Sequence, residues 1–556
     1  MMGRVGRCAT IGLAALAAVA VWAETPRQRR RLCKLQCGPT IDRCVAGGRR
    51  RSRCRAQTLR RCRRHGLTAC TTTTTTVPTT TTLPGVSVLQ HHRNATRDGV
   101  YVDPAFTRAA AAALHVDTGF NATTQGQTYA QPLYFDGAPT NEPDRVFVAT
   151  EENWVYALDA ITGATVASTQ LAPSITLAQL GTCGNIDPMG VTGTPVIDYA
   201  SRTLFVGAMT TPDGGQTAHH VVYGLSIDDL SMRPGWPVDV TAALAARGMT
   251  FESDVQGQRG ALLVVGGTLY VPYGGLAGDC GSYHGWVVSF PLAAPSAVQA
   301  WSTAAVGGGA WAPGGLASDG VFVYAATGNT FGANVWSGGE AIVRLGPGPT
   351  FTGAPADYFA PTDWKALDAG DVDIGGSGPV LFDLPGASPA ALVVSLGKNG
   401  KAYLLDRGYL GGITDGVAHA LVASNEIINA AAAYTTPTAT YVVFKGNGTS
   451  CPGAGGDLTA LAIGAGAPPT ISTAWCASQD GTGSPMVTTL DGHAGAIVWS
   501  VGAESGEQLH GFDGDTGAEL VAVDTGMSVA RFSTPIAAKG RLFVAGDSTV
   551  RAFTTR

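Results

Sequence analysis

Along the last four-fifths of the chain one phrase returns every 48 to 66 residues: a small residue, usually proline, an apolar pair, a polar turn and a second apolar run. Its anchors are Pro132, Pro195, Gly260 (standing where a proline would be), Pro313, Pro379, Pro437, Pro485 and Pro535. Eight repeats of this period without helical patterning predict an all-β fold, an eight-bladed β-propeller of four-stranded blades. In such a ring, equivalent loops from different blades converge on the axis. Functional side chains are expected there.

Composition agrees with short strands joined by tight turns. Charged residues are 14% of the chain and glycines number 75 in 556, a balance that suits turns better than long helices. At the amino terminus Arg4 and Arg7 precede an apolar run, Ile11 to Val21, that is too short to span a bilayer. Val21-Trp22-Ala23 offers a small-residue cleavage site, so residues 1–23 read as a secretion signal, with a membrane anchor as the alternative. No other stretch is apolar enough to cross a membrane. The mature chain is therefore expected to lack a transmembrane segment and to be secreted or periplasmic, where disulfides persist.

Residues 24–70 form a basic segment with 15 Arg and Lys against Glu24 and Asp42, joined to an acidic body. It carries Cys33, Cys37, Cys44, Cys54, Cys62 and Cys70. The first three fall on one helical face, Gly47-Gly48 would break that helix, and a second could run from Arg53 to Arg64. A small Cys-rich helical pair stapled by disulfides is the expected product, because so short a domain needs staples. Zinc is the rival, but no paired CxxC is present. The arginines suit an anionic surface or polymer, such as nucleic acid, anionic lipid or acidic glycan, or simply a solvated face. Residues 71–88 open with a Thr/Pro run and read as an extended linker. That linker leads into the propeller at 89–556, and the basic head could tether the ring to a surface.

Blade one is the clearest, with strands expected at Gln131 to Phe135, Arg145 to Thr150 and Trp154 to Leu158, then the turn Asp159-Ala160-Ile161-Thr162-Gly163. Blade seven repeats the pattern and its turn, Asp513-Gly514-Asp515-Thr516-Gly517. The eighth repeat has room for only three strands before Arg556. Its outer strand is expected from upstream, around Ala111 to Val116, which would close the ring and remove exposed edges.

The turn Ala157-Leu158-Asp159-Ala160-Ile161-Thr162-Gly163 resembles the A-x-D-x-x-T-G phrase of the PQQ-dependent quinoprotein dehydrogenases. Those are eight-bladed propellers that hold pyrroloquinoline quinone (PQQ) and usually calcium on the axis. Four more phrases resemble that family's site. Gly308-Gly309-Ala310-Trp311 is similar to the approach to a tryptophan that stacks on the quinone, and Thr327-Gly328-Asn329 to a T-G-N whose asparagine ligates calcium. Asp371-Val372-Asp373 is similar to a D-x-D whose first aspartate is the catalytic base beside the metal. Lys398-Asn399-Gly400, running to Asp406-Arg407, is similar to a segment whose leading basic residue contacts the quinone oxygens. The order and spacing also look similar: 18 residues from Trp311 to Asn329, 42 to Asp371 and 27 to Lys398.

The resemblance implies an exported oxidoreductase that oxidises an alcohol or sugar with PQQ and calcium. In it Asp371 is base and metal ligand, Asn329 a metal ligand, and Trp311 and Lys398 cofactor contacts. The residue types suit that chemistry: oxygen ligands for a hard dication, a carboxylate to take the hydroxyl proton and an ammonium to stabilise developing charge. No CxxCH occurs, so no covalent haem is expected and a separate electron acceptor would be needed. The sequence departs from the family too. The adjacent cysteine pair over the quinone is missing; the segment Thr182 to Gly190 has one cysteine, with Met189 near the expected arginine. A calcium-ligating glutamate has no clear match, Asp213 being the nearest guess, and the family's blade-docking tryptophan is replaced by Ala167 and Val521, although Trp301 and Trp475 stand near the ends of other blades. Cys183 is available to pair with Cys280, and Cys451 with Cys476. His219, His220 and His284 lack metal-ligand spacing and read as structural. The alternative reading is a non-catalytic secreted propeller that has lost the cofactor and serves as a binding or scaffold module.

Overall fold

The computed structural model describes residues 86–556; the expected signal, the Cys-rich head and most of the linker lie outside the described residues. Eight blades follow one another, as the repeats predict, each built on a four-stranded antiparallel sheet, to which a short extra strand is added in four of them. Blade one is Leu133–Phe135, Arg145–Ala149, Trp154–Asp159 and Thr165–Gln170. Blade four runs Ala317–Ser318, Val323–Thr327, Ala341–Leu345 and Tyr358–Ala360. Blade five is Val380–Asp383, Ala391–Leu396, Lys401–Asp406 and Ala418–Leu421.

Burial explains the strand composition. Apolar layers lie between the faces of adjacent blades; Leu133, Phe147 and Val155 of blade one meet Ile197, Leu204 and Tyr223 of blade two. A middle strand is therefore covered on both faces and reads as a continuous apolar run, as in Ile497–Val501, where every residue is buried. The outer strand Thr165–Gln170 instead has exposed and half-buried positions only. The turns expected after the third strands form as read. The Asp159 carboxylate accepts from the backbone N–H of Ile161 and Thr162, and Gly163 takes φ 77°. Trp475, on the outer strand of blade six, is buried and donates its indole N–H to the Gly514 carbonyl of blade seven's turn, 3.1 Å away.

One anchor and the bounds of one strand need correction. Pro437 lies in the turn after blade six's inner strand, Ala432–Thr435, and not before it; Ala431 holds the position that proline takes elsewhere, a substitution that periodicity alone does not reveal. The outer strand of blade eight does come from upstream, but as two short pieces, His115–Val116 pairing with Phe553 and Thr554 and Ala122–Thr123 pairing with Thr549 and Val550. Ala111 instead ends a short helix, Arg108–Ala111, capped by the Thr107 hydroxyl.

The axis holds a feature the repeats do not announce. Residues 88–103 thread the ring and bond to all eight blades. Val88 exchanges backbone hydrogen bonds with Tyr134 of blade one, and the Leu89 carbonyl accepts from Ile197 of blade two. The Arg97 guanidinium donates to the Leu262 carbonyl at blade three, 2.8 Å away. The carbonyls of Ala95, Thr96, Asp98 and Gly99 accept from Ser318, Leu381, Ala433 and Val487, on blades four to seven. Val100–Val102 then runs parallel to blade seven's inner strand. The Asp103 carboxylate accepts from Gly540 N–H in blade eight, 2.7 Å away. This segment satisfies inner-edge groups that would otherwise face an open channel. The loops of the four site phrases project beyond it.

Candidate active site on the propeller axis

Trp311, Asn329, Asp371, Asp373 and Lys398 come from four loops of blades four and five, on the ring face where inner strands begin and second strands end. The structure brings them together around the Asp373 carboxylate. That carboxylate accepts from the Trp311 indole N–H at 3.2 Å and from the Asn329 backbone N–H at 2.7 Å, and pairs with the Lys398 ammonium at 2.8 Å. Lys398 also reaches Asp371 at 2.7 Å, and its own backbone N–H donates to the Asp373 carbonyl. Gly328 makes the approach possible, since a Cβ there would stand 2.6 Å from the Asp373 carboxylate.

The two aspartates differ. Asp373 is buried, whereas the Asp371 side chain is 59% exposed and joins the cluster only through Lys398. Asp371 closes the helix Trp364–Gly370 in the left-handed region, φ 52°, with its N–H on the Leu367 carbonyl, a position that costs a non-glycine residue about 1 kcal/mol. Burial works against the charge on Lys398, but Asp373 and Asp371 outweigh it and raise its pKa well above the lysine range. Burial also raises Asp373, opposed chiefly by Lys398.

Further carboxylates support the loops. Glu340, fully buried, accepts from Ile374 N–H at 2.8 Å; its second oxygen has no partner. Burial, reinforced by Asp373, pushes its pKa up to about 9, so it is held protonated at neutral pH. Asp368 accepts from the Thr330 hydroxyl at 2.7 Å. Neither acid belongs to a motif in the sequence; the D-x-D spacing marked Asp373, but nothing local told it from Asp371.

Two cations lie over Trp311, with Lys398 Nζ 5.6 Å and Arg259 Cζ 5.9 Å from the ring centroid. Arg259, from blade three, also lies 5.7 Å from the Phe532 ring at the start of blade eight. It thus reaches across the axis between opposite sides of the ring. Burial, then Arg531, lowers its pKa. Glu151 on blade one is buried nearby, and burial pushes it up to about 7. Sequence reading passed over Arg259 because it stands beside Gly260, an anchor position with no charge signature.

The expected disulfides form, Cys183–Cys280 and Cys451–Cys476. Asp213 serves its own turn, accepting from the Thr211 and Thr217 hydroxyls, and takes no place in the cluster. His219 pairs with Asp239 at 2.7 Å, His220 is buried against the Gln256 carbonyl, and His284 meets the Thr303 carbonyl; all three are structural, as read. Among the described residues no group of three or more His, Cys, Asp or Glu side chains is arranged to hold a metal ion. Asn329 and Asp371 supply at most a few side-chain oxygens, against the about six to eight that calcium takes. The residues present do not by themselves build a calcium site. A flat anionic quinone does fit the chemistry of the Trp311 face and its two cations, provided the Arg259 side chain swings aside.

No protein-family profile matches the chain, and a search of curated proteins finds no relative. Solved structures do match. The quinohemoprotein alcohol dehydrogenase of Comamonas testosteroni superposes with a TM-score of 0.57 at 15% identity, over 84% of this chain and 80% of that one. Quinohemoprotein alcohol dehydrogenase ADHIIG of Pseudomonas putida HK5 gives 0.56 at 13% identity, over 84% and 80%. A europium-containing methanol dehydrogenase gives 0.53 at 14% identity, over 83% and 90%. The chain therefore has the eight-bladed propeller fold of the quinoprotein alcohol dehydrogenases.

Proposed function

We propose that this protein is an exported quinoprotein-like oxidoreductase that oxidises a small alcohol or sugar with PQQ and passes the electrons to a separate acceptor. The observation that carries the reading is the Lys398 ammonium, fixed by Asp373 and Asp371 and standing 5.6 Å from the Trp311 ring centroid. It places an aromatic face, a permanent cation and an accessible carboxylate together at the mouth of the axis. The named dehydrogenases with the same fold lend support at the level of architecture.

When bound, the quinone supplies acceptance of two electrons from the alcohol carbon. Trp311 would carry its flat ring. Lys398, kept charged by two carboxylates, would stabilise negative charge developing on the quinone oxygens. Asp371, the exposed member of the pair, would take the substrate hydroxyl proton. Asp373 is the positioning residue that holds Trp311, Lys398 and the Asn329 loop in register. Export accords with the two disulfides, and among the described residues no helix is long and apolar enough to cross a membrane.

A second reading, a binding or scaffold propeller without cofactor, is favoured by one observation: Arg259 reaches over Trp311 where the quinone would lie. Reconstitution separates the two. Full-length protein loaded with PQQ, with and without calcium, should reduce an artificial dye when given alcohols or aldoses, and D371N should lose turnover while keeping quinone absorbance. Absence of both absorbance and turnover would leave only the scaffold reading.

A further inference from the structure

Beneath Arg259 the axis holds a small, partly open cavity whose walls include His91, Tyr129, Thr192, Arg259 and Phe532. Its free volume is about 10 Å³, room for one water-sized occupant. Its walls carry positive charge and hydrogen-bond donors, and no carboxylate lines it. Among the described residues, no hydrogen bond or ion pair reaches the Arg259 guanidinium, whose contacts are the Trp311 and Phe532 rings. His91, 2% exposed, has no partner for either ring nitrogen. It is held in place by stacking on His92, 4.3 Å between centroids, and its backbone carbonyl accepts from Arg97 at 2.7 Å.

Such groups are seldom left alone. A buried polar atom without a partner is costly, and a buried charge without a counter-charge more so. Here a guanidinium and an imidazole that carries one N–H even when neutral border one small cavity. Glu151 acts on the half-buried Arg259 from outside the cavity wall, but burial pushes its pKa up to about 7, so water in the cavity would leave the guanidinium only partly compensated.

We propose that this axial cavity between Arg259 and His91 is a binding site for a single compact monovalent anion of the chloride class. The anion would compensate Arg259 and take an N–H from His91. It would also join the axial segment 88–103, which carries His91, to blade three, which carries Arg259. This inference does not depend on PQQ: it concerns the chain with Arg259 in place, and either reading can fail alone.

The test uses full-length protein prepared in potassium gluconate, then titrated with potassium bromide at constant ionic strength. The melting midpoint should rise along a saturating curve. R259Q should raise the apparent dissociation constant at least about tenfold, since a charge-assisted hydrogen bond is lost. Wild-type crystals grown in bromide should show an anomalous peak between Arg259 and His91, a readout that stands even if R259Q does not fold. Identical melting in gluconate and bromide, an unaltered bromide response in R259Q, or bromide only at the protein surface would overturn the proposal.

Discussion

At the scale of single residues, Asp373 and Asp371 look alike in sequence and are asked to do different things. Asp373 is buried and holds Trp311, Asn329 and Lys398, so D373N removes one partner of a buried pair and should cost about 3 kcal/mol or more by urea denaturation. Asp371 is largely exposed, and D371N should cost under about 1 kcal/mol. If D371N proves the more destabilising, the assignment of roles is reversed. Glu340 gives a pH signature. Its ordinary pKa of 4.5 is pushed up to about 9 in the folded chain. Above pH 4.5 the unfolded chain releases the proton that the folded chain keeps. Stability is therefore full below that pH and falls as pH rises toward 9. E340Q should flatten this decline, measured as denaturation midpoints from pH 5 to 9; an unchanged slope would place the titration elsewhere.

Among the elements, the axial segment and the disulfides hold what the blades cannot hold alone. Arg97 is buried, and its guanidinium donates to the carbonyls of His91, Leu262 and Leu316. R97M would leave those acceptors unpaired and should cost at least about 3 kcal/mol; a loss below about 1 kcal/mol, the scale of a surface substitution, would mean that the segment is not the axle it resembles. The Cys451–Cys476 bridge closes 25 residues within blade six. Replacing both cysteines by serine should lower stability by about 3 kcal/mol through a freer unfolded chain, with the neighbouring blades retaining their far-ultraviolet signal until the common transition.

For the whole molecule, the repeats made the blade count and the ring closure readable, because each blade must bury both faces and does so with the same short apolar runs. Reading was less secure where identity and position part company. Pro437 carried the anchor residue but not the anchor position, and Ala111 carried strand-like surroundings but ended a helix. The site was legible as four local phrases, since Trp311, Asn329, Asp371 and Lys398 each sit in a turn with a recognisable glycine. What binds them into one site was not. Glu340 and Arg259 act through space across loops that lie far apart in sequence, and residues 88–103 reach six of the blades through backbone groups, which any side-chain sequence could supply, with only Arg97 and Asp103 reaching blades three and eight by their side chains.

The central claim, that loops of blades four and five form a receptor for a flat anionic redox ligand, is tested most directly by titrating the full-length protein with PQQ while following tryptophan fluorescence. The account predicts saturable quenching at micromolar ligand, weakened at least about tenfold in K398A through loss of a charge-assisted contact and largely abolished in W311F. No quenching at those concentrations, or the same binding curve for wild type, K398A and W311F, would contradict it.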